Sequence, residues 1–250
     1  MDFEILERAA FNAWPAIEQE EYQGLMMRFA NGYTKRANSA NVLKLETTDY
    51  SSLTEYVERF YTAREEPCIF RIPSYTQSDE YDQYLASCGY QKQSLSLVLS
   101  CPLTSNSAQQ ANRLNEQSVE VVSESATDWL ASYGLLSGQD LDNQSAHLSI
   151  LETIKSATYF ALLKVKGEVV ACALGVVENE QLGIFDVLTR EQDRGKGYAT
   201  YLLRETFNWA LSAGATSSYL QVVAENNSAI SLYEKLGYQQ CYQYWYRLKD

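Results

Sequence analysis

The sequence predicts an α+β fold, an α/β chain in the broad sense, built as two successive sheet-and-helix units with the first one truncated. Three observations carry this expectation. Two glycines in Gln192-Asp193-Arg194-Gly195-Lys196-Gly197-Tyr198-Ala199 stand between a strand-like run, residues 182–188, and a helix-like run, residues 198–213. A constant shift of 148 residues, the distance from Pro67 to Ala215, lays the earlier part of the chain on the later part without a gap, over roughly 70 positions. Between the two parts, residues 103–118 are polar and nearly free of large apolar groups, and read as a linker.

The later unit, residues 119–250, is the more legible. Residues 119–123 read as a strand, and residues 127–136 and 145–156 as helices, with Gly134 and Gly138 breaking the chain between them. Residues 159–166, a Lys166-Gly167 turn and residues 168–177 form an expected β-hairpin, and residues 182–189 add a third strand to that meander. The helix from Tyr198 places Ala199, Leu202, Leu203, Thr206, Phe207 and Ala210 on one face, and Gly214 stops it. Residues 219–223 are another strand, and Asn226 or Asn227 caps a short helix that ends at Gly237. The last strand, residues 242–248, is rich in aromatics.

The earlier unit, residues 1–102, repeats the order from that long helix onward. Residues 51–64 fall on 199–212, residues 67–75 on 215–223, and Tyr84–Gln91 on Leu232–Gln239. The turn Asn31-Gly32 falls on the hairpin turn Asn179-Glu180. The repeat fails at one place. Lys44-Leu45-Glu46-Thr47-Thr48-Asp49 falls on Gln192–Gly197 and has two acids and no glycine, so the first unit is expected to keep its sheet and helices without the same ligand loop. It also lacks residues to match the 119–158 segment.

Composition bounds the function. The chain of 250 residues is 46% apolar and 21% charged, as expected of a soluble globular protein. Its net charge of −12 includes no basic block, which argues against nucleic acid as a partner; an acidic surface suits a cationic amine. No apolar run reaches the roughly 18 residues that span a bilayer, and the start lacks a basic n-region, so no membrane partner or secretory signal is expected. Five scattered cysteines point to free, packed thiols in a reducing cytoplasm, with no metal site. His147, the only histidine, follows a polar stretch and reads as a surface or interface residue without chemistry.

Glycines that let backbone N–H groups converge ahead of a helix N-terminus form a pocket for a diphosphate. A tight turn with no ligand is the competing reading. Gly195-x-Gly197 is neither a Walker sequence nor a dinucleotide fingerprint. The wider order is strand, Gln-x-x-Gly-x-Gly, long helix, strand, Asn-x-x-Ala-x-x-Leu-Tyr-x-x-x-Gly-Tyr, strand. Carried by Gln192, Gly195 and Gly197, then by Asn226, Ala229, Leu232, Tyr233, Gly237 and Tyr238, it resembles the GNAT family of acetyl-CoA-dependent N-acetyltransferases. The whole chain resembles the tandem-GNAT proteins. That resemblance implies two GNAT-like domains, each a mixed, mostly antiparallel sheet flanked by helices, with a degenerate domain at 1–102 and an acetyl-CoA-binding domain at 119–250. Ala13-Trp14-Pro15 and Gly32-Tyr33-Thr34-Lys35-Arg36-Ala37-Asn38-Ser39 look like the signature of one tandem group.

The resemblance also implies roles. Backbone N–H groups from Arg194 to Ala199, through Gly195, Lys196, Gly197 and Tyr198, would hold the coenzyme A diphosphate, with Gln192 and Asn226 beside it. The pantetheine would run along Val187, Leu188 and Thr189, and an N–H near Leu188 would polarise the thioester carbonyl. The acetyl group would pass by direct attack to a primary amine of a small molecule, peptide or protein, in a monomer acting as an intramolecular pseudo-dimer or in a homodimer. Tyr233 would protonate the departing thiolate, or else is a core tyrosine. Many relatives place a glutamate base where this chain has Gln221. Asp186 is the nearest alternative, as base or as a structural or substrate-binding carboxylate; Glu225 is a weaker one, and a water chain a third. A module that senses coenzyme A without turnover is the competing function.

Overall fold

The computed structural model describes residues 2–105 and 119–249. From residue 106 onward the expected linker lies outside the described residues. At its start, Leu103 is buried and its N–H donates to the Thr216 carbonyl at 2.9 Å.

Strands β1 (Glu18–Tyr22), β2 (Leu25–Phe29), β3 (Ala40–Val42), β4 (Ile69–Pro73) and β5 (Gln91–Pro102) come from the first half. From the second come β6 (Val119–Ser123), β7 (Ala157–Val165), β8 (Glu168–Glu178), β9 (Gln181–Thr189), β10 (Ser217–Val223) and β11 (Gln239–Leu248). The helices are α1 (Phe3–Ala13), α2 (Tyr50–Thr62), α3 (Asp79–Ser87), α4 (Ala126–Ser137), α5 (Leu141–Thr153), α6 (Tyr198–Ser212) and α7 (Asn227–Lys235). The expected repeat is visible in these bounds. α2, β4, α3 and β5 begin at residues 50, 69, 79 and 91, and α6, β10, α7 and β11 begin 148 residues later in each case.

The sheets do not follow the expected one per unit. Among the described residues all strands lie in a single mixed eleven-stranded sheet of order β1-β2-β3-β4-β11-β5-β10-β9-β8-β7-β6. The two terminal strands have changed places. β11 runs antiparallel between β4 and β5, and β5 runs antiparallel between β11 and β10. Pairing depends on matched length and side-chain alternation, and these two long repeat-related strands satisfy both in either position. One buried and one partly buried polar contact tie β11 into its exchanged place. Arg71 of β4 is paired bidentately with Glu7 of α1 at 2.6 and 2.8 Å, and Glu7 also accepts a hydrogen bond from Tyr242 of β11. Arg247 of β11 reaches both carboxylate oxygens of Asp82 in α3, at 2.8 and 2.7 Å.

Because side chains alternate across a strand, the sheet has two apolar faces. One is covered by α1, α4 and α5, through Leu6, Trp129, Leu130, Ile150 and Leu151 packed on Phe160, Leu174 and Phe185. The other is covered by α6 and α7 over Ile184 and Leu220, and by α2 and α3 over Phe70 and Ile72. Leu202, Leu203, Thr206, Phe207 and Ala210 of α6 are buried, as the periodicity predicts. At one edge, β1 is acidic and solvent-exposed, a composition that discourages edge-to-edge pairing.

The first-half hairpin departs from its expected turn. The tight turn is Gln23-Gly24, between β1 and β2, whereas Asn31-Gly32 begins a longer connection to β3. Asn38 holds that connection open: its Oδ1 accepts the Ala30 and Gly32 N–H groups at 2.7 and 3.0 Å. No helix among the described residues is long and apolar enough to cross a membrane.

Candidate active site

The site begins with a divergence of two parallel strands. β9 and β10 pair from Gln181/Ser217 to Ile184/Leu220 and then separate. Beyond that point β9 pairs with β8, and β10 pairs with β5. The cause is local. Cys172 opposes Leu188 and Leu174 opposes Phe185, so β9 carries one residue more than its partner between these pairs. Asp186 lies in this bulge with φ +50. A bulge bends its strand away from the ladder, and aspartate tolerates the left-handed region better than most residues. Among the described residues, the edge of Val187–Thr189 that faces away from β8 has no strand partner.

The glycine loop closes the end of this gap. Gly195 and Gly197 adopt φ +79 and +85, which a side chain would strain. Gly197 is the N-cap of α6 and has no side chain to cap it. The first hydrogen bond of that helix runs from Tyr201 N–H to Gly197 C=O at 3.0 Å, so the amides of Ala199 and Thr200 have no intrahelical acceptor. At the repeat-related position in the first half, Asp49 caps α2 by accepting the Ser52 N–H at 3.2 Å. There a carboxylate already occupies the anion position, and donation from Ser52 holds it below the usual carboxylate range.

A cleft of about 630 Å³ extends from this loop between β9, α6 and α7, well within the size of small-molecule sites. Val187, Leu188, Thr189, Arg194, Gly195, Gly197, Tyr198, Ala199 and Asn226 line it, together with Tyr233 and Lys235. Gln192 and Lys196 are not among the lining residues. Gln192 is exposed in the short 3-10 turn Glu191–Asp193. Lys196 is bound to Asp193 at 2.7 Å, and Arg190 contacts the same carboxylate. These two cations hold the Asp193 carboxyl below the usual range and cancel the one acid buried in the loop.

Tyr233, on α7, is buried against Tyr238 with its ring centroid 5.8 Å away. Burial pushes its phenol up to about 12. Asn226 is the helix cap, accepting the Ala229 N–H at 3.2 Å.

Asp186 does not line this cleft. It faces the other side of the sheet, where its Oδ2 lies 3.0 Å from His147 Nε2, off the line that a hydrogen bond requires. His147 is therefore not a surface residue. It is fully buried on α5, and the interface it occupies is internal to the chain. Trp14, Tyr33, Trp129 and Tyr133 surround the imidazole at 4.8 to 6.1 Å between ring centroids. Its Nδ1 lies 3.0 Å from the Tyr33 hydroxyl, which accepts a hydrogen bond from Gln139. The Tyr33 hydroxyl thus links Gln139 to the imidazole, while Nε2 on the other side of the ring lies beside the Asp186 carboxylate. Burial, and then Asp186, push the Tyr33 phenol up to about 12. A signal for this site was present in the sequence, since Trp14 and Tyr33 belong to the signature segments. Gln221 carries no carboxylate to this region; its Oε1 accepts from the Tyr244 hydroxyl at 2.9 Å. Glu225 is exposed and lines none of this cleft.

Known proteins resemble the chain along nearly its whole length. The family described as "Probable histone acetyltransferase Rv0428c C-terminal" matches residues 2–247. Over 252 residues the chain is 28% identical to the uncharacterized N-acetyltransferase YobR of Bacillus subtilis (strain 168), with 99% of each chain covered. Among solved structures it resembles a GCN5-related N-acetyltransferase from Kribbella flavida, with a TM-score of 0.71 at 15% identity, covering 98% of this chain and 95% of that one. It also resembles a tandem GNAT protein from the clavulanic acid biosynthesis pathway, with a TM-score of 0.62 at 10% identity, covering 97% and 86%.

Proposed function

Because the chain belongs to the GNAT-fold N-acetyltransferase family, we propose that it moves an acetyl group from acetyl-CoA to the primary amine of an acceptor, by direct attack in a ternary complex. The observation that carries this reading is the uncapped N-terminus of α6 opening into the gap between β9 and β10. The residues present fit the co-substrate. The α6 amides and the two left-handed glycines suit a diphosphate, Arg194 and Lys235 supply positive charge along the cleft, and the free edge of Val187–Thr189 suits an extended amide chain.

Bound acetyl-CoA supplies an already activated thioester, so no covalent enzyme intermediate is required. Val187 to Thr189 would orient the acyl end, with the backbone N–H near Leu188 donating to the carbonyl oxygen. Tyr233, kept as a phenol by burial, would hand its proton to the leaving sulfur. Asp186 would take the proton of the amine from the opposite side of the gap, with His147 fixing its position. Residues 1–102 would wall the acceptor side, making the single chain an intramolecular pseudo-dimer.

Acetyl-CoA titration monitored by thermal unfolding tests the cleft. Ligand at 100 times its dissociation constant should add about 2.7 kcal/mol, and Gly195→Asp with Gly197→Asp should remove the gain. Stabilisation that survives both substitutions would count against the site. A sensor of coenzyme A without turnover is favoured by one observation, the amide of Gln221 where relatives place a base. Thiol release across a panel of amines separates the two, since a sensor releases none.

A further inference from the structure

The first half of the chain reaches Asp186 through one hydroxyl, that of Tyr33. Tyr33 sits in the connection between β2 and β3, and side chains tie that connection at several points. Asn38 Nδ2 donates to the Thr34 carbonyl at 2.8 Å, the Thr34 hydroxyl accepts from Trp14 Nε1 at 3.1 Å, and Arg28 donates to the Arg36 carbonyl at 2.7 Å. The Tyr33 ring stacks on the His147 imidazole at 4.8 Å between centroids, with 22° between the planes. Trp14 lies against the same imidazole at 5.5 Å. The loop is therefore built to hold Tyr33 against a histidine of the second half.

The imidazole has a different neighbour at each nitrogen. Nδ1 lies 3.0 Å from the Tyr33 hydroxyl, and Nε2 lies 3.0 Å from Asp186 Oδ2. A neutral ring carries one N–H and one lone pair. With the proton on Nδ1, the Nε2 lone pair would face a carboxylate oxygen. The His147 side chain is fully buried and that of Asp186 only 11% exposed, and two opposed acceptors are costly where water is scarce. With the proton on Nε2, the N–H faces the carboxylate and Nδ1 needs a donor. Among the described residues Tyr33 is the hydrogen-bond partner of Nδ1. Burial keeps Tyr33 a phenol, with a proton to give.

We propose that Tyr33 is a positioning residue: it donates to His147 Nδ1, so that the imidazole proton stays on Nε2 and holds one oxygen of Asp186, leaving the other for the acceptor amine. The first half then does more than wall the acceptor side, since it sets the tautomer of the ring behind the base. The hydrogen-bond chain stands on its own geometry; its role in catalysis rests on the acetyl-transfer reading above.

Two measurements on the full chain test it. His147 is the only histidine, so histidine labelled with ¹⁵N in a chain without a histidine tag gives a single imidazole in a long-range ¹H–¹⁵N spectrum. Near neutral pH, without ligand, the wild type should show a protonated Nε2 and an unprotonated, hydrogen-bonded Nδ1. Tyr33→Phe keeps the stacked ring and removes the donor, and should move the Nδ1 resonance toward that of an unbonded lone pair. An unchanged Nδ1 resonance in Tyr33→Phe, or a wild-type ring protonated on Nδ1 or on both nitrogens, overturns the proposal. In thiol-release assays with acetyl-CoA and a panel of primary amines, Tyr33→Phe should lower kcat about tenfold, the scale for a partner that orients a histidine from behind, with KM for acetyl-CoA unchanged. In Asp186→Asn the same change should cost nothing further, because Tyr33 acts through that carboxylate. A Tyr33→Phe enzyme at full rate, or losses that multiply in the double variant, overturns the positioning role and leaves acetyl transfer standing. Absence of all turnover, with the Nδ1 resonance still moved by Tyr33→Phe, keeps the hydrogen-bond chain and overturns acetyl transfer.

Discussion

His147 Nε2 lies 3.0 Å from Asp186 Oδ2, joining the middle of α5 to the bulge that separates β9 from β10. The contact places a carboxylate at the edge of the gap and backs it with a ring that aromatic packing holds still. Asp186→Asn is expected to lower kcat on the order of 10²-fold, the scale of general-base catalysis, with KM for acetyl-CoA unchanged. His147→Phe keeps the ring packing and should lower kcat less. Steady-state kinetics check both; a rise in acetyl-CoA KM alone would make the pair architectural.

Tyr233→Phe keeps the ring that packs on Tyr238 and removes the proton donor. Denaturant midpoints should move little, while kcat falls on the order of 10²-fold. An unchanged kcat would reassign Tyr233 to the core.

Alkaline stability follows from buried phenols. Tyr33 and Tyr233 are each pushed up to about 12, whereas unfolded tyrosine titrates near about 10. The folded state therefore holds these protons more tightly. Their contribution is fully present below pH of about 10 and is lost as pH rises toward about 12. For Tyr233 the slope is about 1.4 kcal/mol per pH unit in that window. Urea midpoints measured from pH 9 to 11 should stay level and then fall. A fall that begins near pH 8 would point to other groups.

Glu7→Ala leaves Arg71 buried and unpaired. Loss of one partner of a buried ion pair costs about 3–5 kcal/mol, so urea unfolding should shift by that amount, far more than for Glu4→Ala in the exposed pair with Arg8.

Residues 119–250 expressed alone should be insoluble or inactive. Both neighbours of β11, and one neighbour of β10, belong to the first half, so the fragment exposes unpaired edges. A soluble, fully active fragment would show that the first half is dispensable.

The sequence by itself determined the features that depend on a few adjacent residues. Gly195 and Gly197 form the turn ahead of α6, Asn226, one of the two cap candidates, caps α7, and the 148-residue repeat holds to the residue at four element starts. The contrast between Gly197 and Asp49 was also legible, because a side chain either caps a helix or leaves its amides open. Tertiary structure decided the rest. The exchange of β5 and β11 was hidden because repeat-related strands present the same alternation to either neighbour. The bulge at Asp186 leaves no mark in Phe185-Asp186-Val187-Leu188. His147 read as a surface or interface residue from its polar neighbours, and it is buried because Trp14 and Tyr33, more than 100 positions earlier, fold across it. Burial is a property of what arrives from elsewhere in the chain, which local pattern does not encode.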